Sequence, residues 1–449
     1  MLDAASAAST DAALDALRAL VRIPTVSRRR AEDIEDGVFE RFHAELRAHF
    51  PLLHDHLDLT RVGSDGLLFH WAGFSGEAGK PVVLMAHHDV VPVEPGDPWQ
   101  HDPFGAEVVD GYVWGRGTLD DKGPLVAACA AVESLLADGF TPARDVWLFS
   151  GCDEEVTGGS ASAAVEELRR RGVEPWFVLD EGGAVASGVL PGVEVPLAVV
   201  GVAEKGVTNI ELRVEGRGGH ASVPARLGPT ARLARAVTRI DAIKHPAYVP
   251  DATVEFFRRL TPYAPAVLRP LAKQAGRLRP LLAAVLGRLG PESSSMTRTT
   301  AVATTLSGSP ALNVVATTAV AGVNIRVMAG DRVDDVLTRM RRAIGDDHVT
   351  IEVVDRNEPC PLSPIDDDAF RLLETTVGDV FPEAVTVPYI MMAATDSRYF
   401  TAICPRVYRY APLRMSRDQR AAIHSYDERL GVKDFHDGVT WYRRLLQNL

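Results

Sequence analysis

Two residues whose types suit metal chemistry, His87 and Asp89, follow a short apolar run that ends at Ala86. Side chains two residues apart on an extended chain point to the same side, so the imidazole and the carboxylate would face the same way. A metal-binding histidine is commonly held by a carboxylate in this manner. The alternative is a structural histidine in the core, and this pair alone leaves that alternative open.

More acidic residues and a second histidine occur further along the chain. Asp120 stands in WGRGTLDDKGP, whose glycines predict a tight loop opening into a helix, and His424 stands in IHSYDERL. Acids also follow two later apolar runs; they are Asp153, Glu154, Glu155, Asp180 and Glu181. Taken singly, these residues are also compatible with a capped helix start and with solvated loops, because solvent can offset the repulsion between adjacent carboxylates.

Together, two histidines and several carboxylates form the donor set that a pair of zinc ions prefers. One acid would bridge two ions about 3.5 to 4 Å apart, and a shared hydroxide would attack a carbonyl that the ions polarise. A glutamate that binds no metal would act as general base toward the water. The adjacent pair Glu154 and Glu155 allows this division, one for the proton and one for the metal.

The elements that must position these residues alternate along the chain. The apolar runs PVVLMA, DVWLFS and WFVLD predict buried strands, and GPLVAACAAVESLLADG and SASAAVEELRRRG predict helices between them. Such alternation is typical of an α/β sheet with parallel strands. Ligands bind beyond the carboxyl ends of such strands, which is where the histidine and the acids stand.

Past Glu204 the pattern changes to alternating strands with two helical stretches, in a β-α-β-β-α-β order. We therefore predict an inserted α+β, ferredoxin-like domain at residues 203–355. Residues 1–202 and 356–449 would form the α/β domain from both ends of the chain. Residues 260–291 are apolar and basic, and we interpret them as helices packed on the inserted domain; a flap over a hydrophobic substrate or a membrane surface is the alternative.

Composition limits the class of protein. The 449 residues are 46% hydrophobic and 24% charged, which excludes disorder, collagen and coiled coil. A net charge of -12 disfavours nucleic acid and anionic membranes as partners.

The four cysteines form no CxxC pair, which indicates a reducing compartment, and we expect a cytoplasmic protein. The first twenty residues predict an amphipathic helix, and no apolar run is long enough for a membrane span.

The motifs resemble those of a known family when read in order. They are HHDVVP, GRGTLDDKG, DEEVTGG, DEGG, GRGGHAS, LNVVATTAVAGVNIRV, ATDSRYF and HSYDERL. This series resembles the dizinc metallopeptidase family of aminoacylase, carboxypeptidase S, carnosine dipeptidase and succinyl-diaminopimelate desuccinylase. EKG, TDSRYF and VYRYAP look most like the carboxypeptidase S and N-acyl amino acid hydrolase branch. The resemblance implies a zinc-peptidase-like catalytic domain with a mixed, mostly parallel sheet, and makes the inserted domain a lid that also dimerises.

The resemblance also implies roles for individual residues. Asp89 would support His87, Glu154 would be the general base, and His88 lacks the His-x-Asp spacing of the motif. The resemblance implies two zinc ions, with cobalt or manganese as expected substitutes. Their implied ligands are His87, Asp120 as the bridge, Glu155, Glu181 and His424, with Asp180 as the alternative to Glu181.

In the inserted domain, His220 of GRGGHAS would help to hold the oxyanion, often in the active site of the partner subunit of a homodimer. Asn313 and Arg326 match positions that contact the substrate carboxylate, and Arg398 of TDSRYF is a further substrate-site residue. The structural alternatives are a turn histidine for His220 and a strand-surface residue for Arg326. This chain has Ala316 where the family often has a proline, which we expect to change loop stiffness rather than chemistry.

The expected function is hydrolysis of an amide bond next to a free carboxylate, in an N-acyl amino acid or a short peptide. A broader dipeptidase of the carnosine type is the alternative within the same class. From another class, a non-catalytic dimeric zinc-binding scaffold would keep the fold without turnover, but such proteins usually lack a ligand or the base, and both are present here.

Overall fold

A large mixed sheet forms the body of the protein. The computed structural model describes residues 4–74, 79–190, 192–224, 226–267 and 269–449. Within them, the first part of the chain forms α1 (Ala4–Val21), α2 (Val38–His49), α3 (Pro51–His56), β1 (Asp58–Val62), β2 (Gly66–Trp71), β3 (Val82–His87), β4 (Glu107–Val109), β5 (Tyr112–Trp114), α4 (Lys122–Ala137), β6 (Val146–Gly151), α5 (Gly159–Arg170), β7 (Phe177–Asp180), β8 (Val185–Ala186) and β9 (Leu197–Glu204).

The middle of the chain forms a second sheet with helices. Its elements are β10 (Gly206–Glu215), β11 (Gly219–His220), α6 (Pro229–Asp241), α7 (Asp251–Leu260), α8 (Arg269–Lys273), α9 (Arg279–Leu289), α10 (Pro291–Ser295), β12 (Thr300–Ser307), β13 (Val314–Val315), β14 (Thr318–Val327), α11 (Val333–Ile344) and β15 (Val349–Asp355).

The last part of the chain returns to the large sheet. Its elements are α12 (Asp368–Val380), β16 (Val385–Met391), α13 (Ser397–Phe400), β17 (Val407–Arg409), β18 (Arg414–Met415), α14 (Arg417–Ala422), β19 (Arg429–Gly431) and α15 (Val432–Gln447). The large sheet has the order β1-β2-β6-β3-β7-β17-β9-β8-β18, and β16 pairs with β9. Both ends of the chain therefore contribute strands to it.

The centre of the large sheet is parallel and covered on both faces. β3 pairs in parallel with β6 and β7, whereas β2 and β6 run antiparallel. Leu84 of β3 packs on the side of α4, and Val83 packs on the side of α5. Burial on both faces explains why these strands are continuous apolar runs without alternation. The carboxyl ends of β3, β6 and β7 consequently meet at one edge.

The second sheet is antiparallel, in the order β12-β14-β10-β15. Residues along β10 and β14 alternate between buried and half-exposed positions, because only one face of the sheet is covered. The apolar face packs against α6 and α11 in a core of its own. Its sequence order is β-α-β-β-α-β, with α7 to α10 inserted before β12.

The apolar and basic stretch at residues 260–291 is helical in its described part, in agreement with its interpretation. α8 and α9 pack on Val254 and Phe257 of α7, a helix within residues 203–355, which agrees with the interpretation. α7 in turn packs through Phe256 and Leu260 on β9 and β16 of the large sheet, a contact that the sequence did not predict.

The predicted fold class is confirmed as α/β with a mixed sheet. The domain boundaries at residues 203 and 355 stay a prediction, as does the role of the inserted part as a lid. The N-terminal helix begins at Ala4, and residues 1–3 of the predicted helix lie outside the described residues. Among the described residues, no helix is both long and apolar enough to cross a membrane. All four cysteines are buried thiols without a disulfide.

Candidate metal centre

His87 lies at the end of β3, where its ring faces two carboxylates. Its Nε2 is 3.0 Å from Asp120 Oδ1 and 3.8 Å from Glu181 Oε1. Asp120 comes from the loop before α4, and Glu181 directly follows β7. We call the group of His87, Asp120 and Glu181 site 1.

A second group of three donors shares Asp120 with the first. The Nε2 atom of His424 lies 3.0 Å from Asp120 Oδ2 and 3.1 Å from Glu155. Glu155 stands in the loop after β6, and His424 follows α14. We call the group of Asp120, Glu155 and His424 site 2. In each site, one ligand atom per residue lies within 4.8 Å of the others.

The charges and pKa values of the residues in sites 1 and 2 suit the binding of cations. Burial opposes ionisation of Asp120, but hydrogen bonding with His424 and His87 holds the pKa of Asp120 well below its usual range. Burial and the adjacent carboxylates of Asp120 and Asp121 raise the pKa of Glu181 well above its usual range. Carboxylates this crowded repel one another, and divalent ions between them would offset that repulsion. Imidazole and carboxylate donors are also what zinc prefers.

Glu154 is not a member of site 1 or site 2. With His87 and Glu155 it forms a third group of donors whose ligand atoms lie within 4.8 Å of one another. Its carboxylate faces the cavity that Asp120, Glu181 and His424 also line. Burial, together with the nearby carboxylates of Asp396 and Glu155, raises the pKa of Glu154 well above its usual range, although His87 opposes the shift. A raised pKa suits a group that must accept a proton and then return it.

Asp89 supports both His87 and the loop that carries the two glutamates. Its Oδ1 lies 3.3 Å from His87 Nδ1 and accepts a hydrogen bond from the backbone N–H of Glu154 at 3.2 Å. Its Oδ2 accepts from the N–H of Glu155 at 3.1 Å and from the hydroxyl of Ser27 at 2.7 Å. The fully buried Asp89 carboxylate therefore fixes the positions of three other site residues.

The structure distinguishes Asp180 from Glu181 and His88 from His87 by where their side chains lie. Asp180 turns away from His87 and accepts a hydrogen bond from the backbone of Ser397 at 2.9 Å, whereas Glu181 faces His87. The His88 ring stacks on Phe42 in the core, and its Nδ1 lies 2.7 Å from the hydroxyl of Ser150. His88 is thus a core histidine.

The two arginines predicted to contact substrate lie behind the cavity wall. Arg326 donates to the backbone oxygen of Met392, which lines the cavity, at 3.4 Å, and to Asn324 Oδ1 at 3.1 Å. Arg398 is largely buried and donates to the backbone oxygens of Thr395 and Thr157. Neither arginine is among the described residues that line the cavity.

His220 lies in the two-stranded sheet of β11 and β13, and Asn313 directly precedes β13. Among the described residues, neither lines the cavity of the metal-site residues. His220 is exposed, and its Nδ1 accepts a hydrogen bond from Ser222 at 2.7 Å or donates to it, depending on the tautomer. Asn313 is exposed, and its backbone oxygen accepts a hydrogen bond from the N–H of Ala221 at 3.0 Å. Within one chain, the structure does not bring these two residues to His87 or His424.

The metal-site residues open into a cavity of about 1440 Å³. Most of its wall is apolar and comes from β8, β9, β16, α7 and the segment around Met296. The apolar lining residues include Leu119, Ala184, Ala186, Val189, Leu190, Val193, Val199, Phe256, Met296, Met391, Met392, Met415 and Ile423. Sequence reasoning missed this wall, because its residues are scattered over the chain and look like ordinary core positions.

Two buried ion pairs were also missed. Arg116 Nη1 lies 2.7 Å from Glu428 Oε2, and Arg409 Nε lies 2.6 Å from Glu204 Oε1. Arg116 and Glu428 stand in GRGTLDDKG and HSYDERL, so a signal was present in the motifs. Their pairing could not be found from the sequence, since 312 residues separate them.

This fold, with histidines and carboxylates grouped at the carboxyl edge of its sheet, defines a metal-dependent hydrolase. Residues 83–448 match the sequence profile of Peptidase family M20/M25/M40, and the chain belongs to this family. It is 34% identical over 414 residues to "Probable carboxypeptidase S-like 2" of Dictyostelium discoideum, covering 91% of this chain and 79% of that one. It is 33% identical over 446 residues to "N-fatty-acyl-amino acid synthase/hydrolase PM20D1.1" of Danio rerio, covering 97% and 85%.

Among solved structures, an M20 family metallo-carboxypeptidase from Sulfolobus solfataricus superposes with a TM-score of 0.72 at 17% identity, covering 97% of this chain and 98% of that one. The family predicted from the motifs is confirmed, and so is the prediction of an enzyme. The roles of the individual site residues stay predictions.

Proposed function

We propose that this protein is a zinc-dependent amidohydrolase that cleaves the amide bond next to a free carboxylate in N-acyl amino acids or short peptides. The observation that supports this most is the position of Asp120 between His87 and His424, with one oxygen toward each. A carboxylate placed in this way suits the bridge between two ions. When bound there, two zinc ions would polarise the amide carbonyl and lower the pKa of the attacking water.

Glu154 and Asp89 would supply the proton transfer and the orientation of the His87 ring. Glu154 accepts the proton of the water as its oxygen adds to the carbonyl carbon, and returns that proton to the amide nitrogen as the C–N bond breaks. Asp89 keeps the His87 ring oriented through Nδ1. The products are a carboxylic acid and an amine that retains its free carboxylate.

The apolar wall supports an N-acyl substrate over a small polar dipeptide. A cavity of about 1440 Å³ has room for an extended acyl chain, and its lining would remove that chain from water. Each buried methylene contributes about 0.8 kcal/mol, which corresponds to a factor of about four in binding. The similarity to a relative named for N-fatty-acyl-amino acids agrees with this choice.

We also propose that Arg326 holds the free carboxylate, since its guanidinium already lies against Met392 of the cavity wall. Arg398 would brace the same loop through Thr395. His220 and Asn313, which are exposed at the β11–β13 sheet, would reach the site of a partner subunit in a homodimer.

Hydrolysis of a substrate panel tests the proposal. We expect the zinc-loaded protein to cleave N-acyl amino acids with kcat/KM rising from acetyl to octanoyl, and to leave their carboxyl-amidated versions nearly intact. Val189→Trp, which fills part of the apolar wall, should lower kcat/KM for the octanoyl substrate by about tenfold or more and for the acetyl substrate much less.

The control variant is Val108→Trp, because Val108 is exposed outside the cavity. It should leave the chain-length profile unchanged. Equal cleavage of amidated substrates would contradict the role of Arg326, and a preference for plain dipeptides over every N-acyl compound would identify the carnosine-type alternative.

A further inference from the structure

A buried ion pair joins two of the loops that supply ligands of the proposed metal centre, the loop of Asp120 and the loop of His424. Arg116 lies in the loop before α4, and Glu428 lies just before β19. Their side chains are 3% and 0% exposed, and Arg116 Nη1 lies 2.7 Å from Glu428 Oε2. Two charges removed from water in this way need further hydrogen bonds to compensate for the lost solvation.

Glu428 finds those hydrogen bonds in the backbone leading to Asp120. Its Oε1 accepts from the N–H of Leu119 at 2.8 Å and from the N–H of Asp120 itself at 3.2 Å. Its Oε2 also accepts from the N–H of Gly117 at 3.1 Å. One carboxylate thus fixes the course of the loop up to the residue that sites 1 and 2 share.

Arg116 makes the corresponding contact to the loop of His424. Its Nη2 donates to the backbone oxygen of Ser425 at 2.5 Å, and the N–H of Gly115 donates to the backbone oxygen of Glu428 at 2.9 Å. His424 has a φ of 59°, in the left-handed region that non-glycine residues seldom adopt. Such a conformation persists where surrounding contacts impose it, and Arg116 supplies one at the next residue.

We propose that Arg116 and Glu428 are positioning residues for site 2, an inference that rests on the proposed function. Site 2 takes Asp120 and His424 from the two loops that this pair holds together. In site 1, His87 and Glu181 stand at the ends of paired strands, and Asp89 supports His87. Loss of the pair therefore weakens binding of the ion in site 2 more than binding of the ion in site 1.

Metal competition on the full-length protein tests this. Bound zinc is measured by elemental analysis after equilibration with graded chelator, for the wild type and for Glu428→Gln, which keeps the shape but not the charge. The wild type should bind two ions per chain. In the variant, the free zinc concentration that half-fills the weaker site should rise by about 10- to 100-fold, as found when residues that support metal ligands are removed, and that of the tighter site by less than about threefold.

The matched control is Glu204→Gln. Glu204 is buried to the same extent and pairs with a buried arginine, Arg409, but touches neither loop of site 2. It should lower the melting temperature of the metal-free protein without a selective loss of one ion. Arg116→Lys keeps the charge but not the contact geometry. It should raise the free zinc concentration that half-fills the weaker site, as Glu428→Gln does, but by a smaller factor. If Glu428→Gln does not fold, Arg116→Lys takes its place in the experiment.

Equal weakening of both sites, no weakening, or the same pattern in the Glu204→Gln control would overturn the proposal. A wild type that binds no zinc would remove the metal centre and the positioning role together. A wild type that binds two zinc ions but cleaves none of the panel would contradict only the substrate class, and the competition result would still decide the role of the pair.

Discussion

Glu154→Gln is expected to lower turnover by about two to four orders of magnitude while two zinc ions stay bound. The glutamine amide keeps the size of the side chain but cannot accept the proton of the attacking water. Glu154 is not a donor of site 1 or site 2, so all ligands of both sites are kept, although Glu154 also lies within 4.8 Å of ligand atoms of His87 and Glu155. Steady-state kcat with an N-acyl amino acid and zinc content by elemental analysis are the two measurements.

The neighbouring variant Glu155→Gln is the matched control. Glu155 lies 3.1 Å from His424 Nε2 and belongs to site 2, so its loss should lower the bound zinc toward one ion per chain. The two adjacent substitutions are chemically identical and differ only in the role assigned to the residue. Full turnover in Glu154→Gln would show that Glu154 is not the general base. Loss of zinc in Glu154→Gln but not in Glu155→Gln would show that the roles of the two residues are reversed.

Asp120→Ala is expected to remove most of both metal ions and to lower turnover by at least about four orders of magnitude, because Asp120 contributes one oxygen to each site. The substitution should also affect folding, with and without zinc. The metal-free protein should melt at a lower temperature, because ionised Asp120 pairs with His87 and His424 and that stabilisation is lost. The rise in melting temperature on adding zinc, which reflects binding to the folded state, should be lost.

Glu166→Ala provides the comparison for this second prediction, because Glu166 is an exposed carboxylate on α5 far from the cavity lining. It should keep both the zinc content and the zinc-dependent rise in melting temperature. Retention of two ions by Asp120→Ala would show that this carboxylate is not shared between the sites.

The large sheet, and the group of residues at its carboxyl edge, could be predicted because local patterns determine them. The roles of single residues as ligands were implied by the family resemblance and stay predictions. The runs through Val83, Phe149 and Val178 are buried on both faces, so they read as continuous apolar stretches. Parallel pairing then brings the residues that follow those strands to one edge. The convergence of His87 and Glu181 follows from that rule alone.

The rest depends on contacts that no local pattern contains. Arg116 meets Glu428 across 312 positions, and the cavity wall combines residues from β8, α7 and β16. The sequence also could not show that His220 stays exposed within its own chain, because the position of the β11–β13 sheet relative to a distant site depends on domain arrangement and on any partner subunit.

Restoring zinc to chelated protein shows whether hydrolysis depends on two metal ions. Hydrolysis of an N-acyl amino acid and of its carboxyl-amidated version is followed as zinc is added back. We predict no turnover in the chelated protein, full turnover at about two zinc ions per chain, and little cleavage of the amidated compound throughout. Full turnover in protein that holds less than one ion per chain would contradict the account.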